Sequence, residues 1–327
     1  MRKSRIFSAG VLLVLATVSA VWAWDTWHKE DDVAVPSAAR DAVPPPATDA
    51  QRIGRMVYIE GGTFRMGNDF SADADARPAH DVFVDPFYID EHEVTNRQFA
   101  RFVDGTNYCT TAEQRGWSLV FDRQQQWVKR PGADWRHPWG PGTSLDGRDD
   151  YPVVHVSWHD AVAYARWSHK QLPTEAQWEY AARSGLRDAD YPWGRDELTA
   201  SLAAGGTGGR YQANYYQHGK DPAADGFDRL APVKSYPASP TGLYDVSGNA
   251  CEWCADGYDA DYYRSSPMQN PPGPSQQQAR VHRGGSYLSP QHRSFDHHVY
   301  VRAHRSPEET TSHVSFRCVR PMKAKFP

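Results

Sequence analysis

The second half of the chain, from residue 185 to residue 321, is a long succession of turn-forming residues with almost no helical periodicity. The whole chain contains 25 Gly and 24 Pro, together with 12 Trp, 17 Tyr and 12 Phe. Gly and Pro mark turns, while the aromatic side chains supply apolar surface for a core. We therefore expect a compact, loop-rich domain. Its long irregular stretches need stabilising contacts beyond backbone hydrogen bonds. Bound ions, coordinated by carboxylates and loop carbonyls, can supply such contacts.

The first 23 residues have the order of a secretory signal peptide. Arg2, Lys3 and Arg5 precede an apolar run over residues 6–20, and small residues follow. This order is typical of a cleaved leader. An uncleaved anchor is the alternative, but the run is short for a membrane span of about 20 residues. We therefore expect a periplasmic protein that contacts the membrane only if the leader is kept.

The remaining chain is predicted to form one domain behind a linker. Residues 24–55 are rich in Ala, Asp and Pro without apolar periodicity, which is typical of a disordered linker. Residues 56–321 form the predicted domain, and residues 322–327 form a tail. A net charge of -4 and a pI of about 6.4 argue against a nucleic-acid partner. A mean hydropathy of -0.72 excludes a multi-pass membrane protein, and we expect a monomer.

Three helices are predicted from Ser or Thr caps that precede apolar faces. They cover residues 96–103 after Thr95, residues 160–169 after Ser157, and a third segment after Thr174. Thr174 and Gln177 have the spacing of a capping box, and Gly185 suits the end of that helix. Strand-like runs occupy residues 56–59 and 82–89.

Several long motifs occur in a fixed order along the predicted domain. They are Gly61–Gly67, Asp90–Asn96, His155–Trp158, Leu172–Glu179, Gly242–Asn249, Arg283–Tyr287 and Phe316–Cys318. Their order and spacing resemble the formylglycine-generating enzyme, or sulfatase-modifying factor, family. The resemblance implies a single α+β domain, distantly like C-type lectins, with little regular secondary structure. Motifs of this kind are more specific for a fold than for an activity.

The resemblance also implies two structural calcium ions. The residues at the matching positions of the first site are Asn214, Tyr215, Asp225 and Phe227. Those of the second site are Asp245, Gly248, Ala250 and Glu252. Carboxylate and carbonyl oxygens are the ligands that calcium prefers. Ordinary turn residues are the alternative interpretation, because Asn, Gly and Asp are common in loops.

The resemblance implies a changed reaction centre. Family members that generate formylglycine bind copper(I) through two cysteines after the Gly-Gly-Ser-Tyr motif, and this chain has Ser289 and Ser294 there. A hydroxyl cannot replace a thiolate as a copper(I) ligand, so formylglycine generation is not expected. The matching catalytic positions are Ser286, Ser289, Ser294, Arg302 and His313. The matching substrate-binding positions are Ser118, Trp135, Arg136 and His292.

Histidines and cysteines offer further chemistry. Five histidines lie close in sequence: His292, His297, His298, His304 and His313. Imidazoles can bind copper or iron or act as bases near neutral pH, although several can equally be solvated loop residues. Four cysteines, Cys109, Cys251, Cys254 and Cys318, permit three pairings. For the Cys-x-x-Cys pair at positions 251 and 254, a structural disulfide that uses one of them is favoured over a redox motif.

These observations lead to one functional prediction and two alternatives. The resemblance is greatest to cysteine-lacking periplasmic members that mature the siderophore pyoverdine. It implies an oxidoreductase that converts dihydropyoverdine, a peptide-derived small molecule, into the finished chromophore. The alternatives are a non-catalytic accessory protein of the type associated with nitrite reductase, and a module that binds peptide or glycan.

Overall fold

The computed structural model describes residues 54–195, 212–215, 226–274, 277–289 and 297–322. The α-helices are α1 (Asn96–Thr106), α2 (Thr111–Arg115), α3 (Trp158–Trp167) and α4 (Glu175–Ala182), and Ala74–Ala76 and Tyr262–Arg264 form 3-10 turns. The strands are β1 (Met56–Ile59), β2 (Gly62–Met66), β3 (His80–Val84), β4 (Phe87–Asp90), β5 (Trp117–Phe121), β6 (Trp127–Pro131), β7 (Cys251–Gly257), β8 (Arg280–Arg283), β9 (Ala303–Arg305), β10 (Val314–Ser315) and β11 (Val319–Pro321). The predicted α+β class with little regular structure is confirmed. No α-helix follows α4 within the described residues, and none of the described helices is long and apolar enough to cross a membrane.

The three predicted helix caps are present. Thr95, Ser157 and Thr174 each accept a hydrogen bond from the backbone N–H three residues on, and the side-chain oxygen of that later residue accepts one from the cap backbone N–H. Each of these capping boxes satisfies two amide groups that a helix start leaves unpaired. The helix after Thr95 runs to Thr106, one turn further than expected. The helix after Ser157 begins two residues earlier, at Trp158.

Two local features differ from the sequence prediction. Helix α2 was not predicted, although Thr110 and Glu113 form a fourth capping box at its start. The run at residues 82–89 is not one strand but parts of two, β3 and β4, which are separated by Asp85 and Pro86. Proline has no N–H to donate to a sheet ladder, so the chain turns there and pairs with different partners.

The strands form four small sheets. Strands β1, β4 and β11 form an antiparallel sheet, and β10, β7, β8 and β9 form a second one in which only the β10–β7 pair is parallel. The hairpins β2–β3 and β5–β6 complete the set. Strand β7 divides the core, because Cys251 and Trp253 pack in one apolar cluster with α1 and α3, whereas Cys254 packs in another with Trp178 of α4.

The expected structural disulfide does not form. All four cysteines lie within the described residues, and no disulfide joins any two of them. Cys251 and Cys254 are three positions apart on one strand, so their side chains point to opposite faces. Each belongs to a different apolar cluster, which explains why they cannot pair with each other.

Candidate functional site

Residues 310–313, here named the central segment, connect several predicted site residues. The segment pairs with Leu119 of β5 through backbone hydrogen bonds of 3.1 and 3.0 Å. It also accepts backbone hydrogen bonds from His155 at 2.8 Å and from Cys251 at 2.9 Å. The segment therefore joins the β5 hairpin, the loop before α3 and strand β7 at one place.

Ser118 and His155 form a buried hydrogen-bonded pair beside the central segment. Both side chains are fully buried, and Ser118 Oγ lies 2.7 Å from His155 Nδ1. His155 Nε2 lies 2.8 Å from the Pro138 carbonyl oxygen, which can only accept, so Nε2 carries the proton. Nδ1 is then the acceptor of the Ser118 hydroxyl. Ser118 Oγ also lies 2.8 Å from Thr310 Oγ1, which ties the pair to the central segment.

The imidazoles around this segment are uncharged at neutral pH. Burial lowers the pKa of His155 to about 4. Burial, with the nearby Arg305 cation, also lowers the pKa of His282 and of His313 well below its ordinary value. His313 Nε2 lies 3.3 Å from Arg305 Nη2 and Nδ1 lies 3.0 Å from Thr311 Oγ1. Because arginine can only donate, Nε2 of His313 is an acceptor and Nδ1 carries the proton.

Ser286 and Ser289 form a tight turn that contacts the central segment through Tyr287. The Ser289 N–H donates to the Ser286 carbonyl at 2.9 Å, and the Ser286 N–H donates to Ser289 Oγ at 3.2 Å. The Tyr287 N–H donates to the Asn249 carbonyl at 3.0 Å, and its hydroxyl donates to the Ser312 carbonyl at 3.3 Å. The structure thus brings Ser118, His313 and this turn to one region.

Three predicted site residues, His292, Ser294 and Asp225, lie outside the described residues.

Arg302 is not brought to the central segment. Its Nε and Nη2 donate to the two carboxylate oxygens of Glu175 at 2.8 and 3.0 Å. Its guanidinium lies 5.1 and 4.4 Å from the ring centres of Tyr258 and Tyr263, and only 6% of the residue is exposed. The expectation that Arg302 lines a groove is therefore replaced by an interior role: it neutralises a buried glutamate.

Trp135 and Arg136 also serve the scaffold. Trp135 is 2% exposed and packs edge-to-face on Phe99, with ring centres 5.2 Å apart. The guanidinium of Arg136 lies 4.1 Å from the Trp135 ring centre and 2.7 Å from Glu113 Oε1. Trp135 is thus a core residue, and Arg136 covers it at the surface.

The described histidines do not form a cluster that could hold a metal ion. The ring of His297 packs 3.7 Å from a tyrosine ring, His304 stacks on another tyrosine at 3.7 Å, and His298 hydrogen-bonds two tyrosines at 2.6 and 3.2 Å. Among the described residues, no three His, Cys, Asp or Glu side chains are placed to hold a metal ion together. The structure therefore gives the expected copper or iron site at histidines no support.

The loop from Asp245 to Ala250 contains oxygen atoms suited to a hard cation. Asp245 adopts a left-handed backbone conformation, with a φ of +53°, and its Oδ2 accepts the Lys234 N–H at 2.8 Å. Its Oδ1 is buried and has no hydrogen-bond partner among the described residues. Burial raises the pKa of Asp245 to about 6, and the Glu252 carboxylate adds to the rise. An unpartnered oxygen of this kind fits a cation ligand.

Glu252, the fourth expected ligand of this site, is already extensively bonded. Arg317 donates to both of its oxygens, at 2.6 and 2.7 Å, and Trp178 Nε1 donates to Oε2 at 2.8 Å. All three side chains are buried, and the pair is a bidentate ion pair. Most of the acceptor capacity of Glu252 is therefore used within the protein.

The residues of the first expected calcium site are only partly described. The backbone carbonyl of Asn214 accepts the Asn249 N–H at 3.1 Å, and its side-chain amide donates to Asn249 Oδ1 at 3.3 Å. Tyr215 is 2% exposed, and the Phe227 ring lies 6.4 Å from that of Tyr236, measured between ring centres. These contacts connect the first loop to the second but do not by themselves define a cation cage.

Comparison with known proteins identifies the family of the chain. Residues 42–322 match the sulfatase-modifying factor enzyme 1-like domain. The chain belongs to this family. It is 43% identical over 299 residues to the formylglycine-generating enzyme of Thermomonospora curvata, a match that covers 84% of this chain and 96% of that protein. It is 38% identical over 288 residues to the inactive C-alpha-formylglycine-generating enzyme 2 of Mus musculus, covering 80% of this chain and 84% of that protein.

The solved structure of PvdO from Pseudomonas aeruginosa is also similar. Its TM-score is 0.64 at 25% sequence identity, and the match covers 85% of this chain and 99% of PvdO. The predicted family and fold are therefore confirmed. Relatives of the sulfatase-modifying factor family with similar identity carry names both with and without the word inactive, so membership establishes the fold and leaves the reaction open.

Two buried residues of this family member were not predicted as site residues. His155 was noted only as part of a motif, and Glu93 likewise. A usable signal was present for His155, which stands between Val154 and Val156, both buried in the core. Glu93 follows Glu91 and His92 and gave no such signal. A titratable residue inside an apolar run is buried, and a buried one needs a partner.

Proposed function

We propose that this member of the sulfatase-modifying factor family is an exported maturation protein that binds a peptide-derived precursor and oxidises it without generating formylglycine. The proposed substrate is dihydropyoverdine, and the proposed product is the oxidised chromophore of pyoverdine. The similarity to PvdO supports this assignment, and the leader pattern in residues 1–23 supports a periplasmic location. The observation that carries the proposal is Ser289, a hydroxyl in the turn where the related enzymes need a thiolate.

Two of the remaining thiols, those of Cys254 and Cys318, do not substitute for the missing ones. Cys254 and Cys318 are fully buried. Burial raises the pKa of both thiols well above its ordinary value, so both stay protonated. Copper(I) is bound by thiolate and not by thiol. Cys254 and Cys318 are therefore not expected to form a two-thiolate copper centre.

The residues around the central segment can bind and orient a substrate. His313 presents Nε2 as an acceptor, at present to Arg305, and a substrate N–H or O–H can take the place of that donor. The Ser118–His155 pair holds the adjoining β5 hairpin in register through Thr310. Oxidation of the precursor removes two electrons and two protons. In the proposed reaction the electrons pass to an external two-electron acceptor, His313 accepts one proton at Nε2, and solvent takes the other. A positioned base typically contributes about 100- to 10,000-fold in rate, and the lowered pKa of His313 places its contribution at the lower end of this range.

We also propose that the irregular half of the domain is stabilised by calcium. In the second site, the ligands are Asp245 and the carbonyl oxygens of Gly248 and Ala250; among the described residues, no loop or side-chain hydrogen bond ends on either carbonyl. Gly248 has a φ of +81° and packs against the Asn214 backbone, where a Cβ would lie 2.4 Å from a carbonyl oxygen. Calcium supplies charge neutralisation and links the loop to its neighbours.

Binding without catalysis is the second candidate. Ser118 is fully buried and His313 is only 5% exposed, and a relative of 38% identity is named inactive. A protein of this kind would act as an accessory factor, as in the nitrite-reductase-associated members, or would bind peptide or glycan.

A deletion strain separates the two candidates. Loss of the protein should cause dihydropyoverdine to accumulate in the culture, measured by absorbance and mass spectrometry, and the wild-type gene should restore pyoverdine. Reintroduction of His313→Gln should restore folded protein but little product, whereas His169→Gln, a change at an exposed histidine, should restore both. Normal pyoverdine in the deletion strain, with loss of nitrite reductase activity, would instead support the accessory role.

A further inference from the structure

Thr310 is a fully buried residue whose side chain connects helix α2 to strand β5. None of its surface is exposed. Its Oγ1 accepts a hydrogen bond of 2.7 Å from Arg115 Nη2, at the end of α2, and lies 2.8 Å from Ser118 Oγ of β5. The Leu119 N–H donates to the Thr310 carbonyl oxygen at 3.1 Å. The hydroxyl and the carbonyl of Thr310 therefore both hold the start of the central segment in place.

Arg115 supplies the other end of this connection. Its guanidinium lies 3.8 Å from the ring centre of Trp117, and its Nη1 donates to the Glu308 carbonyl oxygen at 3.4 Å. A guanidinium carries its donors in a rigid planar fork and can stack on an aromatic ring at the same time. One side chain thus reaches two positions of the same stretch of chain, Glu308 and Thr310, while the indole ring limits its movement.

The position of Thr310 is coupled to that of His313 through the residue between them in contact with both. Ser118 Oγ is hydrogen-bonded to His155 Nδ1 at 2.7 Å, and the His155 N–H donates to the Thr311 carbonyl oxygen at 2.8 Å. Thr311 Oγ1 lies 3.0 Å from His313 Nδ1 and accepts its hydrogen bond. The Ser118–His155 pair therefore holds two consecutive residues of the central segment, and the second of them holds the imidazole ring.

The contact with Thr311 matters most when a substrate is bound. His313 Nε2 lies 3.3 Å from Arg305 Nη2, and in the proposed reaction a substrate donor takes the place of that arginine. Among the described residues, Thr311 is then the one hydrogen-bond partner left to the ring. Trp127, 4.8 Å away between ring centres, adds packing but no hydrogen bond. The direction of Nε2 therefore depends on where Thr311 is held.

We propose that Thr310 is a positioning residue: its hydroxyl, held by Arg115, fixes the central segment so that His313 Nε2 faces the substrate. The use of this arrangement in a reaction rests on the proposed oxidation, but the arrangement itself does not. A displacement of about 1 Å at a reacting group can cost about 100-fold in rate. Loss of the Thr310 hydroxyl should therefore slow product formation by about 10- to 100-fold without removing any group that touches the substrate.

Two substitutions of Thr310 separate the role of its hydroxyl from that of its methyl group. Thr310→Val keeps the shape and removes the hydroxyl, whereas Thr310→Ser keeps the hydroxyl and removes the methyl group. Each is expressed as full-length protein in the deletion strain, with Thr63→Val, at an exposed position of β2, as the matched control. At equal amounts of protein, Thr310→Val should form pyoverdine about 10- to 100-fold more slowly, and the other two should match the wild type. A loss in Thr310→Ser as large as that in Thr310→Val would overturn the proposal, because it would assign the effect to packing.

The imidazole of His313 provides a second readout that needs no substrate. In protein labelled with nitrogen-15 histidine, NMR detects the Nδ1–H group of His313, and its signal is identified by its absence in His313→Gln. We expect this proton to exchange with water at least about tenfold faster in Thr310→Val than in the wild type, Thr310→Ser or Thr63→Val, because the hydrogen bond to Thr311 is less firmly held.

Arg115→Gln tests the same connection from its other end, and it does so even if Thr310→Val does not fold. It should accelerate the exchange of the His313 proton as Thr310→Val does, whereas Arg123→Gln, in the exposed turn between β5 and β6, should not. Unchanged exchange in both Thr310→Val and Arg115→Gln would overturn the positioning role. If the expected exchange pattern appears but the wild type forms no pyoverdine, the proposed oxidation fails and the arrangement of His313 stands.

Discussion

Acidification should destabilise this protein through its buried imidazoles, and His155 is the residue for which the size of the effect can be worked out. Burial lowers the pKa of His155 from 6.5 to about 4. The unfolded chain therefore binds a proton more readily than the folded one between these two values. The stability that His155 contributes as a neutral residue is present above pH 6.5 and is lost as the pH falls through this window.

The difference between the two pKa values corresponds to about 3 kcal/mol in the free energy of unfolding. About 2 kcal/mol of it should be lost between pH 7 and pH 5. His282, His297 and His313 are also buried with lowered pKa values and add to the total loss. The contribution of His155 must therefore be isolated by comparing variants and not read from the wild type alone.

The perturbation is His155→Asn. His155 has a φ of +61°, and Asn tolerates this left-handed conformation better than most residues. Urea unfolding at pH 7 and pH 5 gives the free energy of unfolding of each protein. The loss of stability between the two pH values should be about 2 kcal/mol smaller in His155→Asn than in the wild type. His169→Asn is the matched control, because His169 is exposed and has a φ of +55°. If His155→Asn and His169→Asn lose as much stability as the wild type, the reasoning about the buried neutral imidazole is wrong.

Three further predictions address the reaction, the metal and the interior. Purified protein supplied with copper(I) should not convert a sulfatase cysteine peptide to formylglycine, because Ser289 and Ser294 replace the two thiols; aldehyde detected by mass spectrometry would contradict this. Chelation should lower the melting temperature, since a ligand at 100 times its dissociation constant stabilises the folded state by about 2.7 kcal/mol; an unchanged value in protein that had held calcium would count against the site. Arg302→Met should lower the free energy of unfolding by about 3 kcal/mol or more, because Glu175 loses a bidentate partner in the interior. If the variant is as stable as the wild type but forms no product, Arg302 acts in the reaction and not in the interior.

The helices of this protein were predictable because their starts are local. Each of the three predicted caps works through a side chain and an amide three residues apart, so neighbouring sequence contains all the needed information. Helix α2 follows the same rule through Thr110 and Glu113 and was missed because it is only five residues long and shows little apolar periodicity. The division of the run at residues 82–89 into two strands could have been predicted from Pro86, because proline has no N–H to donate to a sheet ladder.

The positions of the site side chains were less predictable, because they depend on contacts between distant segments. The order and spacing of the motifs pointed to Ser118, His313, Ser286 and Ser289 as site positions, which stays a prediction, and the central segment lies beside them. The same spacing gave no indication that Arg302 turns inward to Glu175, 127 positions away in sequence. The direction of a side chain is decided by the partner that folding brings to it, and the sequence around Arg302 does not contain that partner.

The buried ion pairs of the interior and the Ser286–Ser289 turn use different kinds of contact. This difference explains how the family fold can persist while residues of the turn change. The buried charges that organise the interior, such as Arg283 with Glu175 and Glu179 and Arg317 with Glu252, lie on the Cys254 side of β7 and β8. The Ser286–Ser289 turn is instead held mainly by backbone hydrogen bonds, including those of Tyr287 to Asn249 and Ser289 to Ser286. A change from Cys to Ser in that turn removes no charge partner and little buried apolar surface, so it costs little stability. Ser289→Cys should therefore leave the melting temperature close to that of the wild type, and a clearly lower melting temperature would show that the turn depends on the serine hydroxyl.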